Sequence, residues 1–104
     1  MHNGGMALSY SRLADDEIAE HLARLPGWGV ENGRLTKLFE FECYAKGVVF
    51  AAACGHIAEL LNHHPDLFIG YGKVRVQTCT HDSGNVVTGA DVALAMKIEN
   101  LLTS

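Results

Sequence analysis

The chain has 104 residues, 48% hydrophobic and 19% charged, which suits one domain with a modest core and excludes a disordered polymer. Eight Lys and Arg stand against twelve Asp and Glu, a formal net charge of −4, and no basic cluster suggests direct contact with nucleic acid or an anionic membrane surface. The apolar runs fall short of the roughly 20 residues that span a bilayer, so no membrane partner is expected.

The opening MHNGGMALSY lacks the basic and long apolar parts of a secretory signal. Residues 1–10 read as a flexible leader and residues 11–104 as a single domain. LADDEIAEHLARL, residues 13–25, predicts a first helix. Leu13 and Ile18 staple its start around a cap at Ala14, and Asp15, Asp16 and Glu17 complement the helix dipole. Pro26-Gly27 ends it. Trp28 and Val30, then Leu35, Phe39 and Phe41, alternate about Asn32-Gly33, the signature of a tight β-hairpin. Trp28 reads as a core or hairpin-packing residue rather than a stacking platform.

Tyr44 to His63 is helical in pattern. Turning 100° per residue gathers Val49, Phe50, Ala53, Ile57, Leu60 and Leu61 on one face, expected to be the buried one. Ala51, Gly55, Ala58, Glu59 and Asn62 fall opposite, a weakly polar face suited to a second subunit or protein partner. Pro65 is expected to stop the helix at His64. Residues 67–80 are extended, and Gly70 and Gly72 about Tyr71 mark a bend that can split the run into two strands. Val74, Val76, Thr78 and Thr80 share one side of it. Thr88-Gly89-Ala90-Asp91 opens a last amphipathic helix with Val92, Ala95, Met96, Ile98 and Leu102 inward, and Asp91 reads as its cap. The order indicates an α+β domain, a four-stranded antiparallel sheet with three helices packed on one face.

Three isolated cysteines, Cys43, Cys54 and Cys79, read as reduced thiols, which points to the cytoplasm and leaves the nucleus open. His63 and His64 at a helix end, with His81 at a strand end, make an acid–base set, because imidazole changes charge near neutral pH. Glu59 lies one helical turn before His63 and is placed to fix its tautomer. His56, His63 and His81 could instead form a three-histidine metal site, but no HExxH, cysteine pair or carboxylate cluster accompanies them. His2 and His21 have no supporting context and read as surface. With no phosphate loop, dinucleotide fingerprint or nucleophile elbow, a cofactor-free and metal-free proton transfer fits best.

The spacing Glu59-x3-His63-His64-Pro65-x5-Tyr71-x9-His81-x9-Asp91 resembles the signature of the pterin-4a-carbinolamine dehydratases, also known as dimerisation cofactors of a homeodomain transcription factor. LPGW at 25–28, Gly33-Arg34, and Phe39 with Phe41 extend the likeness from Leu13 to Leu102. The resemblance implies a dimeric or tetrameric α+β protein. It implies a hydro-lyase that dehydrates 4a-hydroxytetrahydropterin to quinonoid dihydropterin, so recycling the cofactor of aromatic amino acid hydroxylases. It makes His63, His64 and His81 the catalytic histidines, with His63 and His81 the acid–base pair. Glu59, Pro65, Thr80, Asp82 and Ser83 become substrate-binding residues. Two positions depart from the pattern: Leu67 replaces a common aromatic in one pocket wall, and Ala14 a common Ser or Thr cap. Some relatives lack the dehydratase signature and act as assembly factors, and the complete histidine set here argues against that group. The alternative is a non-catalytic transcriptional or assembly cofactor working through the face of Ala51, Gly55 and Ala58.

Overall fold

The computed structural model describes residues 8–103, so residues 1–7 of the leader expected at residues 1–10 lie outside it. Three helices, α1 (Asp15–Leu22), α2 (Tyr44–Leu61) and α3 (Gly89–Asn100), accompany four strands: β1 (Gly29–Glu31), β2 (Arg34–Glu40), β3 (Asp66–Gly70) and β4 (Lys73–Thr78). The strands form one antiparallel sheet in the order β1-β2-β4-β3. One face of that sheet carries Leu35, Phe39, Val74 and Val76 into a core shared with the helices, an α+β arrangement as the sequence predicts.

Local chemistry accounts for most of these elements. Ala14 offers no capping side chain, but the Glu17 carboxylate accepts from the Ala14 N–H at 2.9 Å, and three acidic residues occupy the first turn of α1. The helix ends at Leu22, earlier than predicted, and Leu25 turns into the core at 2% exposure. Asn32 and Gly33 both take positive φ, 52° and 77°, which matches the twist of a two-residue hairpin between β1 and β2. Trp28 is buried, meets the Phe39 ring edge-on at 5.9 Å, and donates its indole N–H to Glu99 at 2.8 Å.

The extended run does split, at Tyr71-Gly72, into the β3–β4 hairpin. Gly72 has φ of 68°, and a Cβ there would stand 2.9 Å from the Phe41 carbonyl oxygen. Its own carbonyl accepts from the Phe41 N–H at 2.7 Å, which ties the turn to the end of β2. Only glycine meets both demands.

In α2 the predicted faces hold only in part: Phe50 is buried and Ile57 and Leu61 pack against the core as expected, but Ala51 and Ala58 turn inward and Val49 and Leu60 outward. The buried stripe is Gly47, Phe50, Ala51, Cys54 and Ala58, whereas Val49 and Leu60 are 70% and 72% exposed. The helix is apolar almost all round, so periodicity could not choose between its faces; close approach to the sheet did. A Cβ on Gly47 would already lie 3.5 Å from Val74 Cγ2, and small side chains permit that separation. With 18 residues at mean hydropathy 1.2, α2 has the length and composition of a membrane span, contrary to the sequence estimate. Its inner stripe nevertheless belongs to the common core. In α3, Ala90, Val92, Leu94, Ala95 and Ile98 are buried, while Met96 and Leu102, predicted inward, are exposed. All three cysteines are free thiols, and burial pushes Cys54 up to about 12, leaving it unreactive near neutral pH.

Candidate active site

The site forms where α2 ends, β4 ends and α3 begins. Asn62, not Pro65, stops α2: it adopts the left-handed conformation at φ 51° and ψ 42°. The His63 N–H returns to the Ala58 carbonyl at 3.0 Å and the Asn62 N–H to the Glu59 carbonyl at 3.2 Å. This closure satisfies the last carbonyls and swings the chain off the helix axis. The predicted Glu59–His63 pair therefore does not form, since a left-handed residue between them breaks the helical spacing. Glu59 meets His64 Nε2 instead, at 2.5 Å and in solvent.

His63 turns inward to 8% exposure, and its Nε2 lies 2.6 Å from Asp91 Oδ1. Asp91 is fully buried. Its Oδ1 also accepts the Thr78 hydroxyl at 2.6 Å, and its Oδ2 accepts the Thr80 hydroxyl and the Thr88 N–H, each at 2.9 Å. Four donors thus fill the four acceptor positions of one carboxylate. Since Thr80 spends its proton on Asp91, the 2.7 Å contact between the two hydroxyls is a donation from Thr88 to Thr80. An acceptor so placed requires the proton of His63 on Nε2 and leaves Nδ1 free. The sequence reading of Asp91 as a helix cap holds for Oδ2 and misses Oδ1.

His81 opens a short 3-10 turn, His81–Ser83, which Gly84 and Asn85 close in left-handed conformations at φ 94° and 61°. The turn is cinched by the Thr80 N–H to the Val86 carbonyl at 2.8 Å and the Asn85 N–H to the Thr80 carbonyl at 3.0 Å. His81 Nδ1 stands 2.6 Å from the Asn85 side-chain oxygen. An amide oxygen only accepts, so Nδ1 carries the proton and Nε2 is the free nitrogen. Each of the three histidines is therefore held at one nitrogen by a separate acceptor: Asp91, Glu59 or Asn85.

The three rings converge on a cleft of about 300 Å³, lined by Tyr10, Asn62, His63, His64, Cys79, Thr80, His81 and Asp82. Of the predicted substrate-binding residues, Thr80 and Asp82 stand in this wall. Glu59, Pro65 and Ser83 do not, and neither does Leu67, which packs against the core. Burial pushes the Cys79 thiol up from its ordinary value, partly countered by the Arg34 guanidinium. Tyr10, Asn62, Cys79 and Asn85 were not expected at the site from the sequence. Asn62 carried a signal, because asparagine is the residue after glycine that most readily takes the left-handed cap. Among the described residues no group of three or more His, Cys, Asp or Glu side chains is placed to hold a metal, and His56 is exposed on α2.

Comparison with known proteins fits this geometry. Residues 11–101 match the family described as pterin 4 alpha carbinolamine dehydratase. A protein of Sulfurisphaera tokodaii named "Putative pterin-4-alpha-carbinolamine dehydratase" is 42% identical over 92 residues, 88% of this chain and 98% of the relative. A protein of Natronomonas pharaonis with the same name is 43% identical over 91 residues, 86% of this chain and 95% of the relative. The crystal structure of a transcriptional coactivator/pterin dehydratase from Brucella melitensis superposes with a TM-score of 0.81 at 35% identity, covering 88% of this chain and 98% of that one. A pterin dehydratase-like protein identified as a RuBisCO assembly factor shares the fold alone, at TM-score 0.57 and 24% identity over 74% of this chain and 88% of that one. With the family match spanning both the histidine-bearing helix end and the carboxylate that anchors it, the chain belongs to the pterin-4-alpha-carbinolamine dehydratase family.

Proposed function

We propose that the protein is a hydro-lyase that converts 4a-hydroxytetrahydropterin to quinonoid dihydropterin and water, in support of tetrahydropterin recycling. The observation that carries this reading is the arrangement of three histidines from two segments, the end of α2 and the turn after β4, around one cleft, each held at one nitrogen by its own acceptor. Loss of the 4a-hydroxyl requires a proton on the departing oxygen, while the C4a=N5 double bond forms as N5–H gives up its proton. His63 and His81 divide these two transfers, each contributing on the order of 10²–10⁴-fold. His64, tethered by the solvent-exposed Glu59, positions the pterin or assists. Asp82 offers a polar contact to its edge, and Thr80, its hydroxyl committed to Asp91 and Thr88, backs the cleft wall. Pro65 and Ser83 act from outside the cleft wall. The purified protein, assayed with a strong chelator present, should accelerate dehydration of the carbinolamine well above the buffer rate. A rate equal to buffer would overturn the reading, and a rate abolished by the chelator would return the metal alternative.

The second reading, a binding module working through α2, loses Ala51 and Ala58, which lie inside the chain's own core. The exposed Val49 and Leu60 take their place as candidates. We assign that stripe to contact between copies in a homodimer or homotetramer, because large apolar side chains left in water favour association. Val49→Glu combined with Leu60→Glu should lower the mass measured by light scattering. An unchanged mass, or a wild-type monomer, excludes this surface.

A further inference from the structure

Tyr10 falls in the segment that sequence reading set aside as leader, yet it lines the same cleft as the three histidines. Its ring centroid is 6.1 Å from that of His63, with the planes inclined at 59°. The ring is about half exposed, so part of it stays open to the cleft after it leans on His63.

This placement is built by the backbone on either side. The Ala90 N–H donates to the Ser9 carbonyl at 2.9 Å, the Ser83 hydroxyl donates to the Tyr10 carbonyl at 2.5 Å, and the Leu13 N–H donates to the Val87 carbonyl at 3.0 Å. Arg12 also pairs with Thr88 in an isolated antiparallel bridge. Residues 9–13 are thereby sewn along the segment that carries the His81 turn and the start of α3. Gly89 permits the approach, since a Cβ there would come within 3.1 Å of Ser9 Cβ. A serine that does not line the cleft, donating to the backbone of an aromatic that does, has the geometry of a clamp.

We propose that Tyr10 is a specificity-determining residue of the site. Its ring forms an aromatic wall for the flat amide–guanidine part of the substrate's bicycle, and Ser83 acts by holding that wall in place rather than by touching the substrate. The inference rests on the dehydratase reading. The substrate keeps a flat amide–guanidine edge although C4a, C6 and C7 are tetrahedral, and an offset or edge-on aromatic neighbour packs against that flat part without taking part in proton transfer. Tyr10 therefore bears on ground-state and transition-state binding alike, and its loss should appear in KM rather than in kcat.

Steady-state kinetics with 4a-hydroxytetrahydropterin, together with fluorescence titration by unreactive pterin, test this directly. Tyr10→Ala should raise KM and the pterin Kd on the order of tenfold, with kcat within about twofold of wild type, and Tyr10→Phe should match wild type. Ser83→Ala should raise KM in the wild-type background and do nothing further in the Tyr10→Ala background, because its effect runs through Tyr10. Additive effects of the two substitutions would overturn the clamp. An unchanged KM and Kd in Tyr10→Ala beside an active wild type would overturn the aromatic wall while sparing the dehydratase. A Tyr10→Phe variant as weak as Tyr10→Ala would assign the effect to the hydroxyl and overturn the wall as well. A wild type that neither binds nor turns over pterin would overturn the dehydratase reading and this inference with it.

Discussion

Replacing either His63 or His81 by alanine is expected to lower kcat for carbinolamine dehydration by about 10²–10⁴-fold, because each substitution deletes one of the two proposed proton transfers. The two variants should differ in stability. His81 lies at the surface and, among the described residues, its side chain pairs with Asn85, so His81→Ala should melt close to wild type. His63 is buried and donates to Asp91, so His63→Ala removes a donor from a fully buried carboxylate. That loss should cost about 1–3 kcal/mol, so rates must be compared well below the melting temperature. His64→Ala should have the mildest effect, since that ring is exposed and tethered only by Glu59 in solvent. Initial rates combined with thermal melts by circular dichroism check all three. Wild-type rates in both His63→Ala and His81→Ala would leave the cleft without catalytic histidines.

Asp91→Asn is expected to harm both fold and activity. The carboxylate receives four donors and gives none. An amide of the same size must turn its NH₂ toward one pair of donors, either His63 with Thr78 or Thr80 with Thr88. With the NH₂ toward Thr80 and Thr88, the Thr88 N–H meets another donor. With it toward His63 and Thr78, the ring and hydroxyl must reverse their roles to accept. Either outcome should cost about 1–3 kcal/mol in a dry environment. If the amide oxygen stays with Thr80 and Thr88, His63 loses its acceptor and is released to the other tautomer or another ring orientation. A reduction in kcat on the order of 10²-fold should follow while KM changes little, because Asp91 lies behind the histidine rather than in the cleft wall. Urea unfolding, kinetics and the ¹⁵N shifts of the His63 ring read these effects separately. An Asp91→Asn protein with wild-type stability, kcat and ring shifts would show that the four bonds do not constrain His63.

Much of this arrangement was legible in the sequence, for reasons that can be named. Asn32-Gly33 predicted its hairpin because few residue pairs accept two consecutive positive φ angles. The Thr88–Asp91 capping box was visible because it is local, closing over three residues. The faces of α2 were not legible, since a helix apolar on all sides has no periodic contrast and the distance to a sheet not yet placed decided the outcome. The Glu59–His63 pairing failed because it presumed that the helix ran as far as Pro65, whereas Asn62 ended it at Leu61. The link between Asp91 and His63 spans 28 residues, beyond any local rule. One sign of it did exist. Thr78 and Thr80 alternate with Val74 and Val76 on the side of the strand that faces the core, and two hydroxyls directed into an apolar interior require an acceptor there.

The inner and outer stripes of α2 divide the roles of its positions along the helix. Gly47, Ala51 and Ala58 set how closely the helix can lie on the sheet, so added volume at these positions must push α2 outward and strain the histidine segment that follows it. Val49 and Leu60 carry no such burden, being exposed on the far side. Drift on the outer stripe can therefore change which surface the protein meets while the cleft keeps its shape, and drift on the inner stripe cannot. A fold laid out in this way can acquire new associates without first giving up its chemistry.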